Sequence, residues 1–312
     1  MAKKQKKVPV VLFLSLALNL ALGAYVLFGS GAPAGDRPVS GGETRRLTNE
    51  IAALKQEITQ LRAENEKLRK NAGQAPQTVT PDSQDQTVYS WYFRRNSEHK
   101  PPTTDAAFVR MFNNGKGLYL GDTASRKIYL TFDEGYENDY TSHILDVLRD
   151  NEVPAVFFVT GPYVRSQPEL VKRMAVEGHV IGNHTQNHPS MPKVSNTVLR
   201  DEILSVHEQV RSLTGREMRF LRPPMGEFNQ RTIDLTAQLG YKTVFWSMAY
   251  KDWDVQNQPG REAAVKHVLD NVHPGAVILL HAVSQSNAEA LDTIIKQLKA
   301  QGYVFGSLEE LR

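Results

Sequence analysis

From residue 127 onward the sequence alternates short apolar runs with longer stretches of helical period, and that alternation leaves few folds open. The apolar runs fall at 127–132, 155–160, 179–183, 218–222, 242–247, 276–281 and 303–307. Between them, 141–150, 167–177, 198–213, 230–239, 261–272 and 288–300 carry the spacing of amphipathic helices. Strand and helix in strict turn mean parallel strands joined by right-handed crossovers. Repeated seven or so times, the unit predicts an α/β fold, a closed, barrel-like sheet with its helices outside. In such a barrel the chemistry gathers where strands end and loops begin.

The unusual residues fall at those places. In KIYLTFDEG (127–135), Ile128, Leu130 and Phe132 alternate with Tyr129 and Thr131, and the run then stops on Asp133 and Glu134. A solvated turn would also explain Asp and Gly there. Two adjacent carboxylates can divide the work, one as a metal ligand and one as a base for an attacking water. His184 ends the third run and His188 follows four residues on, a spacing that on a helical turn lets both imidazoles reach one divalent ion. With nine histidines in the chain, a chance pair of surface histidines is the alternative. Arg222 ends the fourth run in RPPMG, where it can pair with a carboxylate and keep it ionised, or simply form a surface ion pair. Asp252 and Trp253 follow the fifth run. His281 interrupts the apolar AVILLHA, either as a buried neutral histidine or as an acid–base group raised by Asp252.

Ahead of this part lie segments of different character. Residues 1–7 form a basic head, and 8–28 contain no charged residue. At about 1.5 Å per residue that run spans roughly the 30 Å of a hydrocarbon core. Lysines on its N-terminal side predict a cytoplasmic start and an extracytoplasmic remainder, so a single-pass protein of the cell membrane. A cleaved signal peptide ending near Ala32-Pro33-Ala34 is the competing reading. Over 43–70, Leu47, Leu54, Leu61 and Leu68 take heptad position d, with Ile51, Ile58 and Asn65 at a. Glu50, Glu57 and Glu64 at g face Lys55, Arg62 and Arg69 at e of a parallel partner. This predicts a parallel homodimer through 47–68, against a lone amphipathic helix on a domain surface. Residues 71–88 read as a flexible linker and 89–126 as an N-terminal extension of a catalytic domain at 127–312. Lys3, Lys4, Lys6 and Lys7 supply +4 of a net charge of +3, so the remainder sums to about −1, which argues against a nucleic-acid partner. The absence of cysteine excludes thiolate metal sites, thiol nucleophiles and disulfides.

Taken in order, TFDEG, HTQNH, RPPMG, KDWD and LLH resemble the five motifs of the polysaccharide deacetylases, the NodB-homology domain of carbohydrate esterase family four. The resemblance implies a distorted (β/α)7-type barrel and metal-dependent removal of N-acetyl groups from cell-wall or chitin-like sugars. It implies Asp133 as general base, His184 and His188 as ligands of a divalent metal such as Zn²⁺, and Arg222 as the residue orienting Asp133. His281 would be the general acid, tuned by Asp252. Trp253 and Leu279 would line the pocket, and the Met225 N–H would help hold an oxyanion. Glu134 stands where the family usually has a ligating Asp, which puts its own ligation in question. GYEN, FFVTG, GNHTQNHP, FWSMAYKDW and LLHAVSQSNAEAL are further similar to the muramic-acid deacetylases of endospore formers, extending the match back to about Tyr89. That branch implies a peptidoglycan glycan strand as partner and N-acetylmuramic acid, on the route to muramic δ-lactam of spore cortex, as substrate. An N-acetylglucosamine deacetylase of peptidoglycan or chitin-like polymer, and a catalytically silent, membrane-anchored glycan-binding scaffold, are the alternatives.

Overall fold

The computed structural model describes residues 85–311. The basic head, the apolar segment 8–28, the heptads of 43–70 and most of the linker lie outside the described residues. Within them no helix is long and apolar enough to cross a membrane.

A curled parallel sheet forms the centre. Its long strand, β3 (Lys127–Glu134), is flanked in the sheet by β4 (Ala155–Val159) and β9 (Val277–His281). From β4 the order continues through β5 (Val180–Asn183), β6 (Phe220–Leu221) and β8 (Lys242–Val244). Beyond β8 the chain swings back to β9 through the bridge Met248–Ile278, with Leu279 N–H donating to Met248 O at 2.9 Å, and Leu120 bridges to Ala276. The expected barrel is therefore a curled sheet whose two edges meet only through isolated bridges. The two-residue strands β2 (Gly117–Leu118) on β8 and β10 (Val304–Phe305) on β3 complete it. A separate ribbon pairs β1 (Tyr89–Ser90) with β7 (Glu227–Phe228).

Helices cover the outside: α2 (Thr141–Asp150), α3 (Gly161–Ser166), α4 (Pro168–Val176), α5 (Asn196–Thr214), α6 (Gln230–Gln238), α7 (Arg261–Asn271) and α8 (Gln285–Ala300), with α1 (Ala106–Met111) in the extension. Two start earlier than their apolar spacing suggests. Ser195 accepts from the Val198 N–H and Ser284 from the Asn287 N–H, so each caps a polar first turn.

Strand periodicity sorts the core into two layers. Ile128, Leu130, Phe132, Phe157, Val159 and Leu280 face outward and pack with the helices. Tyr129, Val156, Phe158, Phe220, Val244 and Val277 face the inside of the curl. Following the inner rows to the C-terminal ends of their strands leads from Tyr129 to Asp133, from Phe220 to Arg222 and from Val277 to His281. The same alternation in β5 leads through Gly182 to His184. A Cβ at Gly182 would fall 2.4 Å from the Phe158 ring, so the bare glycine is what lets that ring fill the interior.

The extension is held by an aromatic cluster of Trp91, Phe108, Phe112, Phe228 and Phe245. Trp91 donates its backbone N–H to Gly226 O and its Nε1–H to Trp246 O, both at 2.9 Å. These bonds fix the extension to the loop after β6 and the segment after β8.

Candidate active site

The inner rows end in a cavity of about 620 Å³ lined by Asp133, His184, His188, Met225, Trp253 and His281, among others. Its centre is an ion pair. Arg222, fully buried, donates from Nη1 to Asp133 Oδ1 at 2.7 Å and from Nη2 to Thr131 Oγ1 at 2.8 Å. The guanidinium lies 4.2 Å from the Phe158 ring centroid, so Gly182, Phe158, Arg222 and Asp133 form one stack. Burial alone would raise the Asp133 carboxyl, but Arg222, His184 and His281 outweigh it and hold it below the usual carboxylate range. Thr131 opens the TFDEG motif without a role assigned to it, and is legible in principle as a polar residue on the inner row between Tyr129 and Asp133.

His184 and His188 meet, though not on a helix. The chain from His184 to His188 is a tight loop in which Thr185 (φ 67°) and His188 (φ 55°) adopt left-handed conformations. Thr185 N–H donates to Asn183 Oδ1 at 2.9 Å, and the His188 N–H to Thr185 Oγ1 at 3.1 Å. These local bonds compete with helix formation and win. The loop brings the two rings to 4.8 Å between centroids, edge to face. His184 Nδ1 lies 2.8 Å from Arg222 O, and because a carbonyl can only accept, Nδ1 carries the proton. Its Nε2 lone pair then faces the cavity, 3.5 Å from Asp133 Oδ2. Burial pushes His184 down to about 4 and lowers His188 as well, so both rings are neutral near pH 7.

Glu134 is not with them. One residue past Asp133, it belongs to the outward row of β3 and lies by Tyr163 of α3 and Thr141 of α2, fully buried. Among the described residues no set of three or more His, Cys, Asp or Glu side chains is arranged to hold a metal ion. This corrects the expectation of Glu134 as a third ligand: strand alternation sends its carboxyl to the far face. The donors that fit a divalent cation are the two neutral imidazoles, an open set suited to a site that also takes water and substrate.

No hydrogen bond of good geometry reaches either carboxyl oxygen of Glu134; the nearby Thr141 and Tyr163 hydroxyls favour its ionised form only weakly, and burial, Glu137 and Asp133 together raise it well above its ordinary 4.5. A group raised in the folded state stabilises fully below its unfolded pKa, and that contribution is lost as pH rises through the folded one. Above pH 4.5 the protein should therefore lose stability at up to about 1.4 kcal/mol per pH unit from this group. Glu134→Gln is expected to abolish that slope, so denaturant unfolding at pH 5 and pH 8 should show the variant gaining on the wild type as pH rises. Parallel stability curves would show that the carboxyl is already ionised.

Across the cavity His281 Nδ1 sits 2.7 Å from Asp252 Oδ1, and its backbone N–H donates to Asp252 Oδ2 at 2.8 Å. Burial alone would lower this imidazole; the bond to Asp252 and the charges of Asp252 and Asp133 raise it above 6.5. With Nδ1 engaged, Nε2 is the nitrogen left to serve the cavity. Trp253 and Met225 stand at the rim, each 54% exposed, and Leu279 lies on the wall. Met225 has φ 58° in the short 3-10 turn Pro224–Gly226; Pro224 carries no N–H and the Gly226 N–H donates to Pro223 O, which leaves the Met225 N–H without an acceptor in the turn. Asp133, Arg222, His184, His188, Asp252 and His281 are thus gathered at one cavity, with Met225, Trp253 and Leu279 on its walls. Tyr136, Trp246 and Tyr250 also line it; they fall within the GYEN and FWSMAYKDW stretches, which assigned them no role.

Residues 120–244 match the family model for polysaccharide deacetylase. The chain is 46% identical over 223 residues to the peptidoglycan-N-acetylmuramic acid deacetylase PdaA of Bacillus subtilis, covering 71% of this chain and 85% of that protein. It is 36% identical over 197 residues to a peptidoglycan-N-acetylglucosamine deacetylase of Bacillus cereus, covering 62% and 70%. The solved structure of B. subtilis PdaA, a family 4 carbohydrate esterase, superposes with a TM-score of 0.71 at 45% identity, covering 72% of this chain and 97% of that one.

Proposed function

The chain belongs to the polysaccharide deacetylases of carbohydrate esterase family 4, and from that membership we propose that it hydrolyses the N-acetyl groups of peptidoglycan, on N-acetylmuramic acid residues, releasing acetate. The observation that carries the reading is the opposition, across one cavity, of an ionised carboxylate paired to a buried arginine and an imidazole raised by its own carboxylate. The higher identity to the muramic-acid enzyme supports that sugar over glucosamine.

Asp133, kept ionised by Arg222, takes the proton of a water attacking the acetyl carbon. The Met225 N–H donates to the oxygen that becomes negative. His281 gives its Nε2 proton to the sugar nitrogen as the C–N bond breaks, because an amide nitrogen leaves only as an amine. Asp252 holds the charge that His281 carries beforehand. His184 and His188 would hold a divalent cation, zinc by the nitrogen character of the pair. When bound, such an ion polarises an acyl oxygen and makes water more acidic. Residues 8–28 would anchor the domain on the outer side of the membrane, and 43–70 would pair two copies, as their composition suggests.

Acetate release from peptide-stripped peptidoglycan tests the proposal. Dialysis against a chelator is expected to reduce release to background and added Zn²⁺ to restore it; an undiminished rate after chelation would contradict the assignment of the imidazole pair. The rate should fall near pH 4, where His184 gains a proton, and again above pH 6.5, where His281 loses one.

A further inference from the structure

Behind the Asp252–His281 pair lies a polar side chain that no step above uses. Asn287, in the first turn of α8 and 1% exposed, donates from Nδ2 to Asp252 Oδ2 at 2.6 Å and to His281 O at 3.1 Å. Its Oδ1 accepts from the hydroxyl of Tyr250, whose ring lines the cavity. Carboxylate and carbonyl oxygens only accept, so the NH₂ face must point at them, and the amide orientation is fixed by chemistry. Every hydrogen-bonding group of the amide is thereby used. Asp252 in turn is held at both oxygens: His281 Nδ1 on Oδ1, and the His281 N–H with Asn287 on Oδ2. Ser284 caps α8 through the Asn287 N–H at 3.2 Å, which fixes where Asn287 starts from.

A second arm holds the same loop. Gln258 Nε2 donates to Asp252 O at 2.7 Å, while its Oε1 accepts from Ser284 Oγ at 2.6 Å and Ser286 N–H at 3.1 Å. The loop bearing Asp252 is thus tied to the N-terminus of α8 at both backbone and side chain.

We propose that Asn287, oriented by Tyr250, is a positioning residue that clamps the Asp252 carboxylate in the plane of the His281 imidazole. The proposal rests on the deacetylase reading only for its effect on rate; the clamp itself is a property of the free protein. Without Asn287, Oδ2 keeps only the His281 N–H, and the less restrained carboxylate can turn about its Cβ–Cγ bond, which lengthens the Asp252–His281 bond and turns the imidazole from the leaving nitrogen. Misplacements of this order cost roughly 10²-fold in rate.

The test uses Asn287→Leu and Tyr250→Phe, the second keeping the ring against the cavity. In ¹⁵N-histidine-labelled protein the His281 Nδ1–H should give a low-field proton resonance, as short charge-assisted bonds do. The expected result is that this resonance moves upfield or broadens in both variants, more in Asn287→Leu. With it, kcat for acetate release should fall about 10²-fold in Asn287→Leu and less in Tyr250→Phe, with KM changed little. If Asn287→Leu does not fold, Tyr250→Phe decides by the same two readouts. An unmoved resonance, or loss expressed in KM alone, would overturn the clamp. A wild-type protein that releases no acetate but shows the shifts would refute the deacetylase reading and leave the clamp standing.

Discussion

Asp133→Asn is expected to lower kcat for acetate release by about 10³-fold, within the 10²–10⁴ range of a lost general base, with KM little changed. The amide keeps the shape of the carboxyl and can still accept from Arg222 Nη1, so substrate should enter as before. What disappears is the basic oxygen. The same substitution leaves Arg222 fully buried without its counter-charge, so a loss of stability should accompany the loss of rate. Steady-state kinetics and denaturant melts on one preparation separate the two effects. A variant within tenfold of wild type would move the base elsewhere in the cavity.

Arg222→Met should show the converse. Removing one member of a buried pair costs about 3–5 kcal/mol, because Asp133, 7% exposed, would then carry its charge alone. In the wild type the depressed Asp133 carboxyl adds stability above its unfolded pKa and loses it as pH falls through the lower folded value. In the variant the folded pKa rises above the unfolded one and the sign reverses. The stability gap between the two proteins should therefore widen from pH 4 to pH 8. Activity near neutrality should collapse as well, since a protonated Asp133 accepts nothing. Arg222→Lys should rescue poorly, because one ammonium cannot serve Asp133 Oδ1, Thr131 Oγ1 and the Phe158 face together. A gap that stays constant with pH would show that Arg222 supports packing alone.

The strand positions and the residues at their ends were legible because burial on both faces writes a continuous apolar signal. The run 127–132 announces β3, and the break at Asp133 announces the cavity. Local loop geometry was not legible: HTQNH has helical spacing, yet hydrogen bonds through Asn183 and Thr185 fold it into a turn. The two faces of β3 were legible in principle from Ile128, Leu130 and Phe132 alternating with Tyr129 and Thr131. Extended by two residues, that alternation puts Asp133 inside and Glu134 outside; kinship of residue type pointed the other way. Asn287 lies within the LLHAVSQSNAEAL stretch, but its role was not legible, since a polar residue in a first helical turn looks like any solvated one until Asp252, Tyr250 and His281 O are seen around it. The helix α3 was hidden by its Gly161-Pro162 start, where Thr160 supplies the cap. The aromatic cluster of Trp91, Phe108 and Phe228 lacks any period, because it forms between segments rather than within one.

Mass spectrometry of glycan fragments after incubation with the zinc-loaded protein asks the central question most directly. Peptide-stripped peptidoglycan should lose acetyl groups from its muramic acid residues, one acetate appearing in solution for each amine exposed, and Asp133→Asn and His281→Ala should leave the fragments intact. Fully acetylated muramic acid after incubation with active-site-intact, metal-loaded protein would contradict the account; acetyl loss confined to glucosamine would keep the chemistry and overturn the substrate.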